Sequence, residues 1–432
     1  MTRSFDIVVV GAGPAGIAAA CAAAEQGRRV ALLDDNPAPG GQIWRGPSTA
    51  HRDAVSRAKE RWLHRLQQNP AITSLHGCRV FDVPGDGLLA AEQNGQRVDL
   101  RYSKVVLATG ARELFLPFPG WTLPGVYGAG GLQAMVKAGL PVRDQRVVVA
   151  GSGPLLLAVA AYLRETGARV SAVCEQASWR SLLRFGASIA HTSRLWQAAG
   201  YRWRTRGTPF HAGCWPVAAH GGKTLESVTL SNGTRQWTVP CDLLACGFHL
   251  VPNTELASLL GCTLQQGFVT VDALQQTLIA NVFCAGEPTG IGGLELSLAE
   301  GEVAGLAAAG AIRAAQARIP RRDRLRAFAA QLAVTFALRQ ELHSLSKADT
   351  IVCRCEDVTW RTVSQYTGWR AAKLQTRCGM GPCQGRICGS ALNFLLEWSP
   401  DSVRPPIFPV SIASLAGPTA SAPAELSAIQ EN

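Results

Sequence analysis

Five of the chain's 13 cysteines fall in one stretch, "TIVCRCEDVTWRTVSQYTGWRAAKLQTRCGMGPCQGRICG", from Thr350 to Gly389. The pattern is Cys353-x-Cys355, then 27 residues, then Cys383-x4-Cys388, with Cys378 lying between the pairs. Thiolates are soft metal ligands, and four of them close a tetrahedral site around zinc. Zinc ribbons and fingers present paired Cys-x2-Cys knuckles, however, whereas Cys-x-Cys followed at a distance by a second close pair can span the two irons of a [2Fe-2S] cluster. The second pair is Cys383 with Cys388 or, at the same spacing, Cys378 with Cys383. Disulfides do not account for the group. The other eight cysteines (Cys21, Cys78, Cys174, Cys214, Cys241, Cys246, Cys262, Cys284) are scattered through apolar or strand-like stretches, as reduced buried thiols are. Cys388 opens an apolar-periodic stretch whose helical N-terminus would offer N–H groups to an anionic cluster. Arg354, Arg377 and Arg386 flank the thiols and would raise its potential, and Gly379, Gly381, Gly385 and Gly389 suit a loop wrapped closely around it.

A second chemistry lies at the other end of the chain. "FDIVVVGAGPAGIAAACAAAEQGRRVALLDD" combines an apolar strand, the turn Gly11-x-Gly13-Pro14-Ala15-Gly16, an alanine-rich helix and a second strand ending in Asp34. Gly11 permits the tight turn, Gly13 admits a pyrophosphate, and Gly16 lets helix and strand approach, while Asp34 stands where a carboxylate accepts from ribose hydroxyls. A similar unit, "QRVVVAGSGPLLLAVAAYLRETGARVSAVCEQA", keeps Gly151 and Gly153 but replaces the third glycine with Leu156, which should hold its helix away from the sheet. Glu175 remains as a ribose acceptor. Three uses of this second site stay open: an adenine nucleotide bound in a modified way, a vestigial scaffold, or a working NADH site. No Cys-x-x-Cys occurs in the region, so an active disulfide of the thioredoxin-reductase type is absent.

Further segments carry a family resemblance. "KVVLATGARE" is similar to the second signature of two-domain flavin reductases. "NVFCAGEPTGIGG" resembles their final flavin segment, with Glu287 in the acidic position, and "PGGQIW" resembles the loop after the first ribose acid in one branch. The resemblance implies FAD in the first site, held by Gly11, Gly13, Pro14, Ala15, Gly16, Asp34, Gln42, Thr109, Gly110, Gly286 and Glu287. "CRCEDVT" and "TRCGMGPCQGRIC" resemble the small iron-sulfur domain of bacterioferritin-associated ferredoxins, which implies Cys353, Cys355, Cys383 and Cys388 as ligands. From Gly11 through Cys388, with "LPFPGWTLPGVYGAGGLQAMVK" included, the chain resembles the α subunit of heteromeric bacterial amino- and imino-acid dehydrogenases, the group of D-hydroxyproline dehydrogenase, opine oxidase and hydrogen cyanide synthase.

These sites must be positioned by a chain of 432 residues with 47% hydrophobic content, ample for two or three cores. The alternation of strands and helices implies an α/β fold, and the resemblance makes it a two-dinucleotide-binding-domain flavoprotein with a small α-helical [2Fe-2S] domain appended. The expected layout is an FAD domain in two pieces (1–140 and 265–320), a nucleotide-like insert (141–264), a helical connector (321–349), the cluster domain (350–400), and an arm and tail (401–432). "RPPIFPV" reads as an extended arm suited to a neighbouring chain, and the polar tail after it as disordered. The net charge of +11 comes with a basic cluster, Arg318 to Arg326, read as a solvated helix face or a dock for an acidic partner, not a nucleic-acid site. The N-terminal apolar run is interrupted by Asp6 and the glycine turn, so neither a signal peptide nor a transmembrane segment is read there, and a cytoplasmic location is expected.

No His-Glu pair, Ser-His-Asp arrangement or His-rich motif stands out among the eight histidines. The resemblance implies an electron-transfer subunit whose partner, an FAD-containing subunit, oxidises the substrate, with a small [2Fe-2S] subunit completing the complex and D-hydroxyproline as the first substrate. Two alternatives stand beside it: a stand-alone NADH-dependent flavin reductase, and a non-catalytic metal-binding scaffold.

Overall fold

Ile7, Val8 and Val9 are apolar on both faces of their strand, which suits only a strand covered on both sides. The computed structural model describes residues 2–46, 54–189, 193–399 and 402–416; the polar tail lies outside them. Its first sheet contains β1 (Thr2–Val10), β2 (Val30–Asp34), β3 (Ile72–His76), β4 (Cys78–Gly85), β5 (Leu88–Gln93) and β6 (Gln96–Leu107), in the order β3-β2-β1-β6-β5-β4. Strand Val282–Cys284 returns from far along the chain to pair in parallel with β6, so the sheet is closed by residues on both sides of an insertion.

The helix after the glycine turn, Pro14–Ala24, is apolar all round and buried from Ala15 to Ala24. It packs backbone to backbone on helix Gly293–Ala308: a Cβ at Gly301 would stand 2.1 Å from the Ala15 carbonyl oxygen, and one at Gly305 2.2 Å from that of Ala19. This contact carries the final flavin-like segment, just before Gly293, to the mouth of the glycine turn.

The insert has its own parallel sheet, in the order Phe210–Ala212, Arg169–Glu175, Arg146–Gly151, Leu243–Gly247, Val126–Gly128, beside a three-stranded antiparallel sheet. Val126–Gly128 pairs with Leu243–Gly247, so the insert's sheet recruits chain from before the boundary expected at 140. The crossing between domains is a two-stranded ribbon, Ala111–Leu114 with His249–Pro252.

Helix Ile319–Thr335 follows, and the chain after it wraps the insert, burying Leu342 and Leu345 among Phe115, Leu116, Phe118 and Trp121. The C-terminal unit has a small core of its own (Val352, Val363, Trp369, Leu392) and docks through Trp121, whose indole N–H donates to the Ile351 carbonyl at 2.6 Å. The arm packs on its own chain: Ile407 is buried in the core of the first sheet and its N–H donates to the Phe81 carbonyl at 2.9 Å. Among the described residues no helix is long and apolar enough to cross a membrane.

Candidate functional site

At the first turn, Gly11 takes φ +107 and a Cβ there would meet the Ala108 carbonyl oxygen at 2.2 Å; at Gly16 it would meet the Gly11 oxygen at 1.7 Å. Both glycines are required by protein contacts. Gly13 is different. Its φ is −76, open to any residue, and among the described residues no atom beyond its chain neighbours lies within 4 Å of where its Cβ would sit. A glycine demanded by neither backbone nor neighbours leaves room in front of a helix N-terminus, which is the room a pyrophosphate needs. Pro14 begins the helix and Ala15 is buried against Gly286, whose Cβ would lie 2.8 Å from that of Ala15. Asp34, 6% exposed, accepts from the N–H of Ala12 at 2.6 Å and of Asn36 at 2.8 Å, so it braces the turn. The following loop hangs over the turn: Gly40 donates to the Ala12 carbonyl at 2.7 Å, and Gln42 is exposed beside it.

Thr109 and Gly110 leave the end of β6 and are tied to Asn253, through the Thr109 hydroxyl to the Asn253 carbonyl and the Asn253 N–H to the Gly110 carbonyl. Glu287 is half-buried: Oε1 accepts from the Gly293 N–H at 3.0 Å, while Oε2, itself buried, has no partner among the described residues. Burial pushes this carboxyl up to about 7. An orphaned buried oxygen at the acidic position of a flavin-like segment suits a ligand hydroxyl. The segment is held from behind by Glu300, which accepts from the Gly286 N–H at 2.9 Å and the Thr289 hydroxyl at 2.8 Å and pairs with Arg326 at 2.5 Å. No motif in the sequence points to Glu300 or Arg326. Glu300 is one of three glutamates in its helix, with Glu295 and Glu302, and only its burial sets it apart. The basic cluster is accordingly more than a solvated face, since Arg322, 3% exposed, also turns inward and donates to Gln275 at 2.9 Å.

The second turn keeps its glycines in left-handed backbone, Gly151 at φ +135 and Gly153 at φ +104, and Leu156 is buried in the insert's core. Glu175 is 3% exposed and bends back onto the turn, accepting from the N–H groups of Gly153 at 2.7 Å and Ala177 at 2.8 Å. Burial pushes it to about 7, against the pull of those donors. Gln176, fully buried, donates to the carbonyls of Phe336 at 3.3 Å and Ala337 at 3.2 Å, and the Ser152 hydroxyl donates to Phe336 at 3.0 Å. The chain just past the long helix therefore lies over this turn. The positions that would meet an adenosine ribose, Glu175 and Gln176, are both covered.

All thirteen cysteines are free. The structure gathers the five C-terminal thiols into an inner and an outer set. Inside, the sulfurs of Cys353, Cys378 and Cys388 lie within 4.8 Å of one another, all three residues buried. Outside, exposed Cys355 is in hydrogen-bonding contact with half-buried Cys383. Cys378, set aside on the resemblance, is thus part of the group. Hydrogen bonding shared among the three sulfurs holds the Cys353 thiol well below its usual value and pushes those of Cys378 and Cys388 up. Three buried sulfurs this close together are the donor set of a metal site.

Local packing corrects the glycine reading. Cβ atoms at Gly379, Gly385 and Gly389 would meet the Trp369 ring at 2.7, 3.1 and 3.3 Å, so these glycines make room for an indole; Gly381 alone makes room for a thiol, with the Cys355 Cβ at 2.2 Å. Of the arginines, Arg377 is paired with Glu356 at 2.7 Å and Arg354 is exposed. Arg386 stacks on Phe408 and donates to the Ile407 carbonyl at 2.6 Å and to the Cys383 carbonyl at 3.5 Å.

One residue joins the two centres. Arg112 donates to Asn253 at 2.8 Å, to Glu255 at 3.0 Å, and to the carbonyl of Arg386 at 3.2 Å, so a chain of hydrogen bonds runs from Thr109 to the loop between Cys383 and Cys388.

Comparison with known proteins places this arrangement. The model of the pyridine nucleotide-disulphide oxidoreductase family matches residues 5–319. The chain is 32% identical over 423 residues to hydrogen cyanide synthase subunit HcnB of Pseudomonas aeruginosa, covering 88% of this chain and 90% of that one. It is 31% identical to an opine oxidase subunit of Agrobacterium tumefaciens, covering 95% and 91%. The solved structure of L-proline dehydrogenase from P. horikoshii has the same fold, with a TM-score of 0.67 at 19% identity, over 96% of this chain and 80% of that chain.

Proposed function

This chain belongs to the pyridine nucleotide-disulphide oxidoreductase family, and from that premise we propose that it is the flavin and iron-sulfur electron-transfer subunit of a heteromeric dehydrogenase oxidising an amino or imino acid. The substrate's carbon–nitrogen bond is oxidised in a partner FAD subunit, and a small [2Fe-2S] subunit completes the complex. The supporting observation is the contrast between the two glycine turns in one chain that also gathers five thiols. Both turns are open at the middle glycine, Gly13 and Gly153, but the first is accompanied by an unpartnered Glu287 oxygen among the described residues, whereas the second is covered at Gln176 by residues 336–337.

FAD, when bound, takes two electrons together and releases them singly, and a [2Fe-2S] cluster accepts them one at a time. The residues present fit both groups. The Gly11–Gly16 turn presents helix N–H groups to the phosphates, Thr109 and Gly110 shape the floor, Glu287 accepts from a hydroxyl, and Glu300 with Arg326 keeps the Gly286 backbone in place. Cys353, Cys355, Cys383 and Cys388 hold the cluster, and Arg112 fixes the thiol loop against the flavin domain. The insert serves as a scaffold, so reducing equivalents enter from the partner and not from NADH.

The test is reduction of the purified chain. NADH should leave the flavin band unbleached, whereas co-expression with the partner subunits should confer dye reduction on amino or imino acids, with D-hydroxyproline first in the panel. Rapid bleaching by NADH alone would favour a stand-alone reductase and end this reading.

A further inference from the structure

The cluster needs four thiolates and the chain brings together five. Resting on the cluster reading above, we propose that Cys378 is a reserve ligand for the inner iron, able to take the place of Cys388 but not of Cys355 or Cys383.

A [2Fe-2S] cluster gives each iron two thiolates and two bridging sulfides. Sulfurs that share a tetrahedral metal stand about 3.8 Å apart, given metal–sulfur bonds near 2.3 Å. The observed grouping follows that rule unevenly. Cys355 and Cys383 touch each other at the outer edge and supply one iron. The inner iron needs two thiolates and has three within 4.8 Å, all buried.

Within the inner set Cys353 is the fixed member. Its sulfur lies within 4.8 Å of both other inner sulfurs, and its strand, Ile351–Cys353, is paired with Val358–Thr359. The second inner position is open to either remaining thiol, because both already reach the Cys353 sulfur. They come from different elements: Cys388 begins helix Cys388–Leu396, while Cys378 follows helix Trp369–Thr376, its N–H bonded to the Thr376 hydroxyl at 3.2 Å. Losing one side chain therefore leaves the other's anchor intact. In a chain lacking the Cys388 thiol, Cys378 releases its proton to solvent and its thiolate fills the vacant position on iron. The cluster keeps four thiolates, the same charge and the same iron oxidation states. Among the described residues no third thiol forms such a group with the outer pair.

The experiment is anaerobic reconstitution of the full chain with iron and sulfide, read by iron and labile-sulfide content and by the EPR spectrum after dithionite reduction. Cys388→Ala should keep most of the wild-type iron and sulfide with a shifted g-tensor, and Cys378→Ala should keep both content and spectrum. Cys378→Ala/Cys388→Ala, Cys355→Ala and Cys383→Ala should each lose the cluster, with bound FAD and near-ultraviolet circular dichroism reporting that they remain folded. If Cys388→Ala loses the cluster as completely as the double variant while staying folded, or if Cys378→Ala alone abolishes it, the reserve role is refuted. Wild-type chain that takes up neither iron nor sulfide would refute the cluster reading itself, a result distinguishable from failure of the swap.

Discussion

Glu287 should make flavin binding depend on pH in a calculable way. In the free protein its Oε2 is buried without a partner and burial pushes the carboxyl to about 7, with the Glu300 charge adding to the effect. A ligand hydroxyl donating to Oε2 favours the ionised form and draws the value back toward the ordinary 4.5. The sign follows from linkage. A carboxyl raised above its unfolded value holds a proton that the unfolded chain has lost, so its stabilising effect is full below about pH 4.5 and is lost as pH rises toward 7. If the FAD complex has given up that proton, binding releases it, and affinity rises with pH through the same window. With values of about 7 free and about 4.5 bound, the Kd falls about 20-fold between about pH 5.5 and about pH 7.5, or roughly 1.8 kcal/mol. Fluorescence titration of FAD into flavin-free protein across this range measures it, with Glu287→Gln as the control expected to be flat. A wild-type Kd that does not change with pH, or a variant with the same slope, refutes the assignment of Glu287 to the flavin.

Three further outcomes follow from packing and polar contacts. Gly301→Ala puts a methyl 2.1 Å from the Ala15 carbonyl oxygen and must push the two helices apart, so it should cost about 1–3 kcal/mol and lower Tm by several degrees in a thermal melt. Arg112→Ala breaks the link from Asn253 to the Arg386 carbonyl; FAD and iron contents should hold while flavin-to-cluster transfer slows roughly tenfold or more in stopped-flow measurements. Gln176→Ala removes the amide that binds the Ala337 carbonyl and leaves the Phe336 carbonyl only the Ser152 hydroxyl, at a cost of about 1–3 kcal/mol, and calorimetric titration should show adenine nucleotides binding the variant but not the wild type.

The parts of this molecule that were legible in the sequence are those where one residue type answers one local demand. Gly11 and Gly16 stand where any side chain would strike backbone, so their spacing announces the turn. The rest depends on contacts between distant segments, which leave no periodic trace. Glu300 and Arg326 look like ordinary helix residues until their helices fold beside Gly286. The glycines of the thiol loop carry the same letters whether they face a cluster or, as three of them do, the Trp369 ring. Spacing counts residues between thiols but not the turns that bring Cys378 onto Cys353 and Cys388. Residues 336–337 carry no nucleotide-site motif, yet they cover one, because Gln176 and Ser152 offer buried donors that backbone carbonyls satisfy.

The central claim is that one chain holds a flavin and an iron-sulfur cluster and passes electrons singly between them. Its most direct test is stepwise anaerobic reduction of the purified complex by the amino- or imino-acid substrate, followed together by flavin absorbance and low-temperature EPR. The account predicts that a [2Fe-2S] signal appears as the flavin is reduced, and that the signal vanishes in Cys355→Ala protein while the flavin still bleaches. A flavin that reduces fully in a wild-type complex showing no iron-sulfur signal would contradict it.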